Sequence, residues 1–89
     1  MTLRWRPYSG TRISVAGLRT SIELPPTQPY GPPTKRYGCV WENGNKYFGY
    51  YEVEHPGEIE DVVLGPFHSL EEVKTRVESA LFAQYPSVT

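Results

Sequence analysis

From Tyr37 onward, apolar residues recur first at a period of two and then at spacings of three and four. That change of period predicts a hairpin, a third strand and an amphipathic helix, in that order. Tyr37 to Trp41 and Lys46 to Val53 flank Glu42-Asn43-Gly44-Asn45, and Asn-Gly tolerates the positive φ values of a type I′ turn or of a type I turn with its bulge. Pairing Trp41 with Lys46 sets Cys39 against Phe48 and Tyr37 against Tyr50, on one face with Trp41. Val40, Tyr47, Tyr51 and Val53 then occupy the other face. Both faces are apolar, whereas a half-solvated antiparallel sheet carries one polar side.

Glu54-His55-Pro56-Gly57-Glu58 reads as a turn, because Pro presets φ at its second position and Gly accepts a left-handed third. Ile59 to Leu64 follows as a third strand antiparallel to the second, with Gly65-Pro66 as its end. Ser69-Leu70-Glu71-Glu72 has the form of a capping box, in which the Ser69 hydroxyl accepts from the Glu72 amide. Leu70, Val73, Val77, Ala80 and Leu81 make one apolar stripe beyond it, and Pro86 stops the helix near Tyr85. A single helix covers one face of so small a sheet. The face carrying Trp41, Phe48 and Tyr50 is left for the N-terminal segment, a second copy or a partner.

Ahead of this unit the signals are weaker. Ile13 with Val15, and Ile22 with Leu24, alternate on either side of Ala16-Gly17, which predicts a short hairpin from Arg12 to Leu24. Trp5 and Tyr8 precede it as a plug on the core or an ordered arm. Pro25 to Thr34 carries five prolines in ten residues, so it reads as an extended polyproline-type connector. The expectation is one α+β domain over residues 1–89: a small antiparallel sheet of three strands plus an N-terminal hairpin, packed on one C-terminal helix. The connector, residues 25–34, joins the hairpin to the strand-strand-strand-helix unit at 35–85.

Composition narrows the function classes. In 89 residues, seven Tyr, three Phe and two Trp make up 13% of the chain, more ring than so small a core needs, and such rings suit half-buried faces and interfaces. The net charge is −1, which argues against a surface that tracks nucleic acid all round. Its distribution is uneven. Residues 1–46 hold seven basic side chains against Glu23 and Glu42, a balance of +5, and residues 47–89 hold Lys74 and Arg76 against eight acids, a balance of −6. Met1 is followed by Thr2-Leu3-Arg4-Trp5-Arg6-Pro7 without an apolar leader core, no apolar run is long enough to span a bilayer, and Cys39 is the only cysteine. A cytoplasmic protein is expected.

Candidate chemistry is thin. Cys39 with His55 or His68 is the one thiol and imidazole combination, but Cys39 falls mid-strand among rings, where a small buried hydrophobe is expected. The histidines and nearby Glu54, Glu58 and Glu60 lack the paired spacing of a zinc site, and Glu58-Ile59-Glu60-Asp61 lacks the alternating oxygens of a calcium loop. No phosphate-cradling glycine loop occurs. Gly38 and Gly49, opposite one another in the expected register, leave a notch for a packed ring or an incoming backbone.

Two local likenesses bear on these residues. Val62-Val63-Leu64-Gly65-Pro66-Phe67 followed by Ser69-Leu70-Glu71-Glu72-Val73 resembles the second strand and helix of the peptidoglycan-binding sporulation-related repeat. The strand and helix that open that repeat have no counterpart before Tyr37. A three-stranded sheet followed by a helix is also similar to the arm-binding domains of tyrosine integrases, which set such a sheet in the DNA major groove. Those domains are basic, whereas this third strand and helix are acidic. Neither likeness extends over the chain, and no family is assigned from them.

The reading that follows is a small non-enzymatic adaptor or inhibitor, of the kind common among bacterial and phage accessory proteins, that binds a protein partner or a second copy of itself. Tyr37, Trp41, Phe48 and Tyr50 would be its anchors, flanked by Arg36 and Lys46. The alternative is a sheet-type nucleic-acid binder that sets Arg4, Arg6, Arg12 and Arg19 against phosphates. No catalytic residue, metal site, cofactor, membrane contact or small-molecule substrate is identified.

Overall fold

The computed structural model describes residues 3–9, 17–25 and 33–86. Five strands, β1 (Arg6–Tyr8), β2 (Gly17–Leu24), β3 (Thr34–Asn43), β4 (Lys46–His55) and β5 (Glu58–Phe67), form one antiparallel meander in chain order. The helix α1 (Leu70–Gln84) lies across one face. The α+β class is as expected, with five strands in a single sheet.

Local chemistry sets the helix ends. The Ser69 hydroxyl accepts from the Glu72 amide at 3.1 Å, with Glu71 and Glu72 in the first turn beside the positive end of the helix. At the other end the Tyr85 amide donates to the Leu81 carbonyl at 3.0 Å. Val73, Val77 and Leu81 are fully buried against Ile22 and Val40 of the sheet. Side chains of this size each contribute about 1.5–3 kcal/mol on burial.

The two strand glycines explain how the helix comes so close. A Cβ on Gly38 would stand 2.5 Å from Val77 Cγ1, and one on Gly49 would stand 2.8 Å from both Val73 Cγ2 and Val77 Cγ2. The expected notch is therefore the seat of α1, filled by valines. The two glycines are also not opposite one another: Gly38 pairs with Tyr51 and Gly49 with Val40.

That difference follows from the β3–β4 turn. Asn43 pairs with Lys46, leaving Gly44-Asn45 as a two-residue turn with Gly44 at φ 68°, and Trp41 pairs with Phe48 and Cys39 with Tyr50. The positive φ falls on the first central residue, as a II′-type turn requires, and not on Asn43. The pairing is thus two residues out from the expected one. An even shift keeps every side chain on its face, so Tyr37, Cys39, Trp41, Phe48 and Tyr50 still share one side.

Two other boundaries differ. The strand paired with β2 is Arg6–Tyr8, with Arg6 opposite Arg19 and Tyr8 opposite Gly17; the expected strand at residues 12–16 lies outside the described residues, as does most of the proline connector. The third strand of the central unit does not stop at Gly65-Pro66. It continues to Phe67 through a bulge, with Gly65 at φ 124° and a cis Gly65-Pro66 peptide. The Pro56-Gly57 turn is as expected, with Gly57 at φ 82° and His55 paired to Glu58.

Candidate binding face

The helix occupies the side of the sheet bearing Leu18, Ile22, Val40, Tyr47, Tyr51 and Leu64. Strict alternation sends the neighbours of these residues to the opposite side. Among the described residues no helix or strand lies across that side. We call it the open face.

Its centre is aromatic. Trp41 stacks on its cross-strand partner Phe48 with ring centroids 6.0 Å apart and 19° between planes, and meets Tyr50 at 6.1 Å and 54°. Offset stacking of this kind suits the ring quadrupoles. Tyr50 itself is only 6% exposed, so it forms the floor of the cluster and not its surface. Beneath it Cys39 is fully buried, its Sγ donating to the Tyr50 hydroxyl at 3.2 Å. Burial pushes the Cys39 thiol above the ordinary thiol range, outweighing the Tyr50 hydrogen bond and the Arg19 charge, which act the other way. Trp41, Phe48 and Tyr37 are half-buried. On the β5 side the face continues as Ile59 and Val63, exposed at 40% and 62%, with Glu52 and Asp61 directly opposite one another between them.

Toward β1 the face becomes basic. Arg19 lies between two rings, its Cζ 4.2 Å from the centroid of Tyr8 and 4.4 Å from that of Tyr37. Both are cation–π contacts, and two of them together restrain the Arg19 side chain. Arg4, Arg6, Arg19, Ser21, Lys35 and Tyr37 surround a pocket of about 340 Å³. The Thr20 hydroxyl donates to the Arg4 carbonyl at 2.6 Å and so ties the N-terminal segment to β2 beside that pocket. Ion pairs join Glu54 to Arg36, Glu60 to His55 and Glu71 to Lys74. Among the described residues no acid is in an ion pair with any of the four pocket cations.

Comparison with known proteins finds no match among family models, curated proteins or solved structures. The two local likenesses therefore lend this chain no assignment, and its function has to be argued from this face.

The residues singled out from sequence separate into three groups. Tyr37, Trp41, Phe48 and Tyr50 come together, with Tyr50 buried beneath the others, and Lys46 stands at the hairpin end of the same face, two residues from Phe48. Arg36 does not join them. It pairs in register with the core residue Ile22, is 9% exposed, and is held by the Glu54 carboxylate at 3.0 Å and the Lys35 carbonyl at 2.9 Å. Arg4, Arg6 and Arg19 converge on the pocket, while Arg12 lies outside the described residues. Cys39 and His55 stay apart: His55 follows Tyr50, the cross-strand partner of Cys39, by five residues on β4, about 16 Å at strand rise. It is engaged with Glu60 at 2.8 Å. Among the described residues no group of three or more His, Cys, Asp or Glu is placed to hold a metal, and no helix is long and apolar enough to cross a membrane.

Sequence reasoning missed Tyr8, Ser21 and Lys35 as part of the face. The signal was present as Arg4, Arg6 and Tyr8 at period two, but it has meaning only once that segment is known to be an edge strand.

Proposed function

We propose that this chain is a non-enzymatic binding domain that engages a protein partner, or a second copy of itself, through the open face of its sheet. The supporting observation is the continuity of Tyr37, Trp41 and Phe48 with exposed Ile59 and Val63 on one side of a sheet whose other side is occupied by α1. Half-buried rings over a rigid floor are the usual anchors of protein interfaces, because they bury much area at little cost in side-chain entropy. The face carries both signs of charge, with Arg4, Arg6, Arg19 and Lys35 at one end and Glu52 and Asp61 nearer the other. Mixed charge suits a complementary protein surface and works against a continuous phosphate backbone.

The nucleic-acid reading keeps one observation in its favour, the gathering of three arginines and Lys35 beside Tyr37. Salt separates the two. Association through rings persists at high ionic strength, whereas neutralisation of several phosphates is lost steeply.

The test compares wild type with Trp41→Ala and with Glu72→Gln, a surface change on the helix side. Loss of self-association or of partner capture in Trp41→Ala alone, at a melting temperature close to wild type, supports the interface. Equal behaviour of all three proteins overturns it.

A further inference from the structure

We infer that the pocket formed by Arg4, Arg6, Arg19, Lys35 and Ser21 is a binding site for a single dianionic phosphoryl group. This goes beyond the aromatic interface and stands whether or not Trp41 docks a protein. Three observations carry it. The first is electrostatic. Arg6 and Arg19 are direct cross-strand partners, an arrangement that is unfavourable for like charges, and Arg4 and Lys35 add two more cations to the same pocket. Lys35 has Glu23 as its register partner, yet no ion pair forms between them. Arg36, on the other side of the sheet, shows the contrast: it is buried and paired with Glu54. Concentrated, unneutralised positive charge in a concave site attracts a multivalent anion.

The second is geometric. The Arg19 Cζ lies over the Tyr8 ring at 4.2 Å and over the Tyr37 ring at 4.4 Å. Ring contacts leave the N–H edge of a guanidinium for hydrogen bonding, and that edge presents paired N–H groups in the plane that matches two phosphoryl oxygens. The two ring contacts restrain the side chain before any ligand arrives, which lowers the entropy lost on binding. Ser21 follows Arg19 by two on β2, stands opposite Tyr37 in register and lines the same pocket, adding a neutral hydroxyl donor.

The third observation decides the kind of anion. Among the described residues four cations of this face gather at one pocket, with Lys46 apart at the hairpin end, and the face beyond Tyr37 carries the acids Glu52 and Asp61. A polynucleotide needs a basic track, whereas a single phosphoryl group with several terminal oxygens needs a compact ring of donors. The group has two sources, free inorganic phosphate or the phosphorylated side chain of a partner, and the chemistry at the pocket is the same for both.

The test titrates the full 89-residue chain with sodium phosphate, O-phosphoserine and sodium chloride at matched ionic strength, reading amide chemical shifts and melting temperature. The expected result is saturable shifts at Arg6, Arg19, Ser21 and Lys35 with phosphate or phosphoserine, accompanied by a rise in melting temperature that chloride does not reproduce. Tighter binding of phosphoserine than of phosphate points to a phosphorylated partner, and the reverse to the free ion. Arg19→Gln should weaken binding about tenfold or more. Arg19→Lys should recover little, because a lysine cannot present the planar fork. Arg6→Gln removes a repulsive contact, so it should fold at least as well as wild type while losing affinity. Equal effects of chloride and phosphate would show screening only and overturn the site. So would Arg19→Gln that folds and binds phosphate unchanged, or tight binding of a single-stranded oligonucleotide with a steep salt dependence and none of small phosphates.

Discussion

Arg6 and Arg19 stand directly opposite one another on neighbouring antiparallel strands, with no carboxylate among the described residues in an ion pair with either. Cross-strand like charges cost roughly 0.2–1 kcal/mol in such positions. The Tyr8 and Tyr37 rings around Arg19 offset part of this, since a cation over an aromatic face is attracted to it. Arg6→Thr should therefore raise stability in dilute buffer by about the same few tenths to 1 kcal/mol. The gain should shrink near 1 M salt, where the screening length falls to about 3 Å. Denaturant unfolding at the two salt concentrations measures it. A loss of stability in dilute buffer would mean that Arg6 is held by a favourable contact.

Cys39 tests how tightly the open face is floored. Its thiol is fully buried and pushed above the ordinary thiol range, chiefly by desolvation. At any given pH the folded protein then carries less thiolate than the unfolded chain, so alkylation of native protein should be slow and should accelerate on unfolding. The sign for stability follows from the same shift. Both states hold the proton below the ordinary thiol value; above it only the unfolded state releases the proton, and stability falls until the folded thiol also ionises. Cys39→Ala should lose that part of the alkaline decline. Alkylation of native protein at the rate of a free thiol would show that the floor opens readily.

Gly49 sets the distance between helix and sheet. With Val73 and Val77 methyls each 2.8 Å from where its Cβ would lie, Gly49→Ala forces either the helix or the strand to move. Overpacking of this kind costs about 1–3 kcal/mol. Val77→Ala alone leaves a cavity, but in the double variant the removed methyls relieve one of the two clashes, that with Val77, and leave the one with Val73. The two changes should thus be less destabilising together than their sum, by a coupling energy of about 0.5–3 kcal/mol. Strict additivity in urea unfolding would mean that the strand yields elsewhere.

Much of this architecture was legible because it rests on short-range chemistry. The Ser69 cap, the stripe of Val73, Val77 and Leu81, and the Pro56-Gly57 turn each follow from a few adjacent residues. The sharing of one face by Tyr37, Trp41 and Phe48 survived even a wrong register, since faces depend only on odd and even position. What could not be read depended on long-range pairing. Arg6–Tyr8 is too short and too polar to announce itself as a strand, and it becomes one only by pairing with β2. The contact of Arg19 with both Tyr8 and Tyr37 needs three strands to be in place. Arg36 looked like a flanking surface charge, and its burial follows from its register opposite Ile22.

Tyr85 shows the same long-range dependence and gives the sharpest stability test. Pairing between β3 and β4 ends at Gly38 and Tyr51, and beyond that point β4 is laddered to β5 alone. The Tyr37 amide there donates to the Glu52 side chain at 2.8 Å. The Tyr85 hydroxyl, delivered from the end of α1, donates to the Glu52 carbonyl and accepts from the Glu54 amide, each at 3.1 Å. One hydroxyl thus satisfies two main-chain groups and fastens the helix terminus to the sheet. Tyr85→Phe keeps the ring and its packing but leaves a carbonyl and an amide without this partner. The Glu54 amide lies nearer solvent than the Glu52 carbonyl, so water restores part of the loss. The expected cost is about 1–3 kcal/mol, larger than that of a typical exposed Tyr→Phe change. Hydrogen exchange localises it: the Glu54 amide should lose protection while those of Val73 and Val77 keep theirs in proportion to global stability. Unchanged stability together with unchanged protection at Glu54 would show that the helix end is not anchored through this hydroxyl.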